Sequence, residues 1–270
     1  MASSIDIFLL ILAGCIGGYI SGLLGVGGGI IFVPILDHFL SAQGVEGNDL
    51  VLYTLANSFL CIIFAGITGS LGAIREKSIN YLHLFSVAFS AIASVLLTTF
   101  LIKSGSWYSP DIFKLVFCAL LIFTLIKTLM HIEVTALEEK MNLKMGVFIG
   151  ILTGFVSGLS GLGGGMIMIP LFMMLGNLSI KKASVLSLAI IPVIALPNVL
   201  FYATSTPEHS IPGTTGYLAW LLVIPIIIGV VSTVKLGLIT AKILSAKSIK
   251  IIFACFIVLT VIKTLLSVFI

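Results

Sequence analysis

Apolar stretches of about twenty residues recur along the chain, at roughly 50–72, 80–102, 112–130, 183–203, 217–234 and 250–270. Each is close to the ~20 residues that a helix needs to cross ~30 Å of hydrocarbon. No stretch alternates apolar and polar positions as a barrel strand would, so a transmembrane β-barrel is excluded. Two further apolar segments, 5–40 and 145–176, are each interrupted by a glycine run and read as helical hairpins. The pattern predicts an all-α polytopic membrane protein.

The hairpins are copies of each other. Residues 21–34 read SGLLGVGGGIIFVP and residues 157–170 read SGLSGLGGGMIMIP, with 9 of 14 positions identical. The offset is 157 − 21 = 136. KLVFCALLIFTLIKTL at 114–129 matches KIIFACFIVLTVIKTL at 250–265, and 250 − 114 is again 136. One offset shared by two distant matches marks a duplication of the whole chain. The organisation predicted is a first repeat over 1–134, a cytoplasmic linker over 135–144 and a second repeat over 145–270.

Charge sets the sides of the membrane, because Lys and Arg concentrate on the cytoplasmic face. Lys235, Lys242, Lys247 and Lys250 place 235–250 inside; Lys181 and Lys182, Lys140 and Lys144, and Arg75 and Lys77 mark three more inside connections. The acidic stretch 41–49 and the stretch 204–216, which has no Lys or Arg, lie outside. These assignments agree only if each hairpin begins and ends on one side. From Ile30 to Leu40 is 11 residues, or ~16 Å of helix, about half a bilayer. A re-entrant hairpin therefore fits better than two full crossings. Each repeat is then one hairpin plus three spans, the repeats have opposite orientation, and both termini are extracytoplasmic. Only Lys103, Lys114 and Lys263 fall outside.

Composition agrees with lipid as the main solvent. The chain of 270 residues is 59% hydrophobic and 9% charged, with a mean hydropathy of +1.28; soluble domains carry about 25% charged residues. The N-terminal stretch has no basic region and no A-x-A site, so it is expected to belong to the mature fold. The net charge of +4 is scattered over helix ends without a basic aromatic patch, which excludes nucleic acid as a partner. Cys15, Cys61, Cys118 and Cys255 sit in apolar runs without metal-binding spacing and read as packing residues. No metal or other cofactor is expected, and no Walker A, HExxH or nucleophile-elbow pattern points to an enzyme. The partners are the bilayer and a small solute; a homodimer is left open.

Glycines at spacing four, Gly14, Gly18, Gly22 and Gly150, Gly154, Gly158, form small faces suited to close helix packing. The tips are a different matter. Gly25, Gly27, Gly28 and Gly29, and Gly161, Gly163, Gly164 and Gly165, break the helix at membrane depth. Irregular backbone there is tolerated only inside protein or around a wet cavity. The helix that restarts at each tip presents free N–H groups and a positive dipole end, which suit an anion. The alternative is that the glycines only turn the chain. The candidate binding set is Gly27, Gly28, Gly29, Gly163, Gly164 and Gly165, with Ser21 and Ser157 paired across the repeat and Asn57, Ser58, Ser187 and Asn198 in the following spans. Thr54 and Ser184 lie in the same spans, and Pro192 and Pro197 are expected to kink theirs. No carboxylate stands at the centre of a span, so no proton relay is visible. Membrane potential alone contributes ~2.3 kcal/mol per charge per 100 mV toward anion expulsion.

At SGLLGVGGGIIFVPIL, SGLSGLGGGMIMIPLF and GYLAWLLVIPIIIGVVSTVKLGLITAKIL (216–244) the chain resembles the sulfite exporter TauE/SafE family of membrane permeases. The resemblance covers essentially the whole chain and departs at 50–60, which reads LVLYTLANSFL. It implies a multi-pass cell-membrane protein that moves a small sulfur-containing anion, such as sulfite or an organosulfonate, usually outward. A carrier for a carboxylate or thiol compound, and a membrane assembly factor without transport activity, are the competing readings.

Overall fold

The computed structural model describes residues 4–73, 81–105, 107–130 and 141–269. Arg75, Lys77 and Lys140, together with most of the linker, lie outside the described residues. The described chain folds into α1 (Ser4–Leu24), α2 (Gly29–Ala42), α3 (Gly47–Ala73), α4 (Tyr81–Ser104), α5 (Pro110–Met130), α6 (Leu143–Ser160), α7 (Gly165–Gly176), α8 (Ile180–Ala203), α9 (Trp220–Ile243) and α10 (Ala246–Phe269). A two-residue strand pair, β1 (Thr214–Thr215) and β2 (Leu218–Ala219), precedes α9. Helices, not barrel strands, make the structure. Six of them, α1, α3, α4, α6, α8 and α9, are long and apolar enough to cross a membrane. Large apolar side chains cover the outside: Phe89 is 79% exposed, Ile5 71% and Ile243 80%. Such a surface is stable only against lipid.

The two glycine-broken segments are helix pairs with unequal arms. The first arms, α1 and α6, have 21 and 18 residues and reach spanning length, which is longer than a hairpin reaching only mid-bilayer needs. The second arms, α2 and α7, have 14 and 12 residues, or roughly 21 and 18 Å at 1.5 Å per residue. Both second arms contain a proline, Pro34 and Pro170, six residues past the N-cap glycine.

The glycine faces pack as their spacing predicts. Gly14, Gly18 and Gly22 lie on Ile226, Val230 and Val234 of α9, too close to admit a Cβ. Gly150, Gly154 and Gly158 lie on Val87, Ala91 and Thr98 of α4 in the same manner. In both pairs the residue numbers rise together, so α1 runs parallel to α9, and α6 to α4. The second pair is the first with each member shifted by the 136-residue offset. At the centre, α3 packs on α8, with Gly66 against Pro192 and Gly69 against Leu188. Here the numbers run in opposite directions, so these two helices, mates across the duplication, are antiparallel. The most apolar stretch of α3 is 89% buried, against 44–56% for the other five spanning-length helices, which makes α3 the axis of the fold. α5 packs on α10, the last mated pair.

Candidate functional site

Each tip begins where its first arm ends. The N–H of Gly25 donates to Ser21 O at 2.8 Å, and that of Gly161 to Ser157 O at 2.9 Å. The chain then turns through left-handed glycines at Gly25, Gly27 and Gly28 (φ 77°, 82°, 79°) and at Gly161, Gly163 and Gly164 (φ 68°, 69°, 76°). A side chain at any of these positions is strained. The fourth glycine of each tip is needed for another reason. Gly29 and Gly165 have ordinary helical backbone, but a Cβ on Gly29 would stand 2.9 Å from Leu162 Cα, and one on Gly165 2.9 Å from Val26 Cα. The two tips therefore meet backbone to backbone, and the two contacts are equivalent under the 136-residue offset.

Helix α2 restarts with Ile31 and Phe32 N–H donating to Gly28 O at 3.0 and 3.2 Å; α7 restarts with Ile167 and Met168 donating to Gly164 O at 3.1 and 2.9 Å. Neither N-cap glycine supplies a capping side chain. Between arms, the N–H groups of Val26, Gly27, Gly28, Gly163 and Gly164 have no acceptor among the described residues. Gly27 and Gly163 both abut Ile62 and Ile191, near the middle of α3 and of α8. The open amides thus stand halfway along the two central helices.

The serines predicted from sequence hold the tips from across the duplication. Ser58 on α3 donates to Gly161 O of the second tip at 2.7 Å. On α8, Ser187 donates to Gly25 O of the first tip and Ser184 to Leu24 O, both at 2.8 Å. These carbonyls would otherwise be unsatisfied at a helix end. The hydroxyl hydrogens are therefore engaged, leaving oxygen lone pairs. Ser21 and Ser157 are fully buried, and their hydroxyls have no partner among the described residues. Ser157 lies beneath Gly164, where Thr153, also buried and unpartnered, joins it.

The two asparagines sit elsewhere. Asn57 accepts from Ala219 N–H at 2.7 Å and donates to the carbonyls of Tyr217 and Tyr53 at 2.9 and 2.7 Å. It ties down the strand pair before α9, one residue from Ser58. Asn198 faces α4 and accepts from Thr99 at 3.1 Å; its amide nitrogen is buried with no partner among the described residues.

Sequence reasoning missed the extension of this network. Asp49 accepts from the Tyr217 hydroxyl at 2.9 Å and from His209 N–H at 2.7 Å. Burial, and then the adjacent Asp49 carboxylate, push the Tyr217 phenol above its ordinary value, so it stays a donor. Asp49, Asn57 and the segment 209–219 form one latch along the N-terminal half of α3; an acidic residue at a helix start gave no signal of it. Among the described residues no group of His, Cys, Asp or Glu could hold a metal ion.

Comparison with known proteins agrees with this architecture. The family model described as sulfite exporter TauE/SafE matches residues 10–264. A protein of Methanocaldococcus jannaschii named a probable membrane transporter is 26% identical, over 90% of this chain and 89% of its own length. A similarly named protein of Haemophilus influenzae is 26% identical over 97% of this chain and 98% of its own. The probable membrane transporter YunE of Bacillus subtilis is 27% identical over 80% and 83%.

Proposed function

We propose, from the premise that this chain belongs to the sulfite exporter TauE/SafE family, that it carries a small sulfur-containing anion, sulfite or an organosulfonate, between the two glycine tips. The observation that carries this reading is the meeting of the tips at mid-helix depth, with five backbone N–H groups that have no acceptor among the described residues. Each tip also opens a helix, whose positive end adds to the attraction for an anion. The unpartnered hydroxyls of Ser21 and Ser157 stand ready as further donors. In this conformation the tips touch, so the anion is admitted when they part and is enclosed when they close. Because each tip is held by a serine of the opposite repeat, moving one repeat against the other moves both tips.

In this reading the two copies are inverted repeats, which the antiparallel α3 and α8 support, and the tipped helix pairs are re-entrant, which the short α2 and α7 support. The protein lies in the cell membrane with both termini extracytoplasmic. Binding is tested by thermal shift of the detergent-purified protein against sulfite, taurine, acetate and chloride. Stabilisation by sulfite or the sulfonate, lost in Gly28→Leu and Gly164→Leu proteins that still reach the membrane, is expected. Undiminished stabilisation in both variants would mean that the glycines only turn the chain.

A further inference from the structure

A cavity of about 200 Å³ lies between α2, from Val33 to Ser41, and the helices α5 and α10. Its charged lining is Asp37 and His38 from α2, Lys114 from α5 and Lys263 from α10. Lys114 Nζ stands 3.6 Å from Asp37 Oδ2, and both side chains are mostly buried, at 16% and 14% exposure. Asp37 Oδ1 is buried with no donor among the described residues. His38 and Lys263 stand at the exposed rim.

The duplication says which of these charges belong together. Shifted by 136 residues, Lys114 corresponds to Lys250 and Lys127 to Lys263, so both lysine positions occur in both repeats. Asp37 and His38 correspond to Met173 and Met174. The lysines persist where the carboxylate does not, so neutralising Asp37 is not their reason for being there. In the topology read from charge, Lys114 and Lys263 are also two of three cations that fall on the side where cations are disfavoured.

We propose that this cavity is a second anion site, which takes a small oxyanion that still carries a proton, such as hydrogensulfite or dihydrogen phosphate. Lys114 and Lys263 pair with the charged oxygens, and the open Asp37 Oδ1 accepts the hydrogen bond of the ligand's own hydroxyl. A fully deprotonated oxyanion brings only lone pairs to Asp37 and is repelled. A lipid phosphodiester has no proton on its phosphate and is the competing source of an anionic group, which the titration below separates from a free ion. The site rests on the transport reading only for the chemistry of its ligand, and it faces the outer end of the hairpin arm that leads from the first tip.

The test is calorimetric titration of the detergent-purified full chain with sulfite, phosphate, sulfate and dispersed phosphatidylglycerol, in wild type and in Lys263→Gln, Lys263→Arg, Asp37→Asn and Gly164→Leu. Sulfite and phosphate are expected to bind at this site more tightly than sulfate. Lys263→Gln should weaken them about tenfold or more, the worth of one charge-assisted contact, and Lys263→Arg should restore them. Asp37→Asn should erase the preference by admitting sulfate, an effect that loss of a merely structural ion pair would not produce. Gly164→Leu should leave this binding intact even if the tip site is lost, so failure at the tips is distinguishable from failure here. Equal affinities in wild type, Lys263→Gln and Asp37→Asn would overturn the proposal, as would binding of phosphatidylglycerol alone.

Discussion

Gly165→Ala isolates the tip-to-tip contact from backbone strain. The backbone of Gly165 is not left-handed, so alanine fits its φ. The added Cβ would lie 2.9 Å from Val26 Cα, 2.9 Å from Ser187 Oγ and 2.8 Å from Ile191 Cδ1. Carbon atoms rest about 3.5–4.0 Å apart. The isoleucine methyl can rotate away, but the Val26 backbone must retreat by roughly 0.6–1 Å. Overpacking of this kind costs about 1–3 kcal/mol, and alanine returns up to about 1 kcal/mol over glycine in a helix. The net expectation is a loss of about 1–2 kcal/mol. Gly29→Ala, whose Cβ would lie 2.9 Å from Leu162 Cα and 3.2 Å from Gly161 O, should lose a similar amount. Both substitutions wedge the same gap, so the double variant should lose less than the sum of the two. Gly44→Ala is the comparison: φ is +81° but nothing lies within 4 Å, so only conformational strain is felt. Apparent melting temperature in detergent reads all four proteins. Tip variants as stable as wild type, or strictly additive losses, would refute the claim that the tips touch.

Other consequences follow from named contacts. Ser58→Ala and Ser187→Ala each strip a buried tip carbonyl of its donor and should cost about 1–3 kcal/mol, measured by the same melting assay. Asn57→Leu removes two hydrogen bonds to the segment 209–219 and one to its own helix at Tyr53 O; hydrogen exchange over 209–219 should rise while exchange in α5 and α10 stays unchanged. Gly14→Leu and Gly154→Leu should disrupt the α1–α9 and α6–α4 seams and lower stability more than anion affinity, as thermal shift with and without sulfite will show. A single cysteine at position 140, in a background without the native cysteines, should resist an impermeant maleimide applied outside intact cells.

The helices were legible in the sequence as recurring apolar runs. Apolar length gave the helices, and the 136-residue offset predicted that the chain is built twice; the mated pairs α3 with α8 and α1–α9 with α6–α4 repeat that offset in space. Glycine spacing of four correctly marked the packing faces, because only residues without a Cβ allow the backbone contacts at Ile226 and Ala91. Side-chain partners were less legible. Nothing in a local pattern reveals that Ser58 reaches Gly161, 103 residues away, or Ser187 Gly25, 162 residues away. Asp49 and Asp37 stood near predicted helix ends, where a charge needs no explanation, and their burial comes from elements that the linear sequence does not bring together.

The central claim is that an anion crosses between two tips that part and close. The direct measurement is flux of radiolabelled sulfite into proteoliposomes, with potential clamped by potassium and valinomycin, for wild type, Gly28→Leu and Gly164→Leu. The account predicts flux in wild type that changes with the clamped potential, because the moving species is charged, and flux at the level of protein-free liposomes in both variants. Wild-type flux that persists unchanged in both tip variants, or the absence of sulfite flux in wild type at every potential, would contradict it.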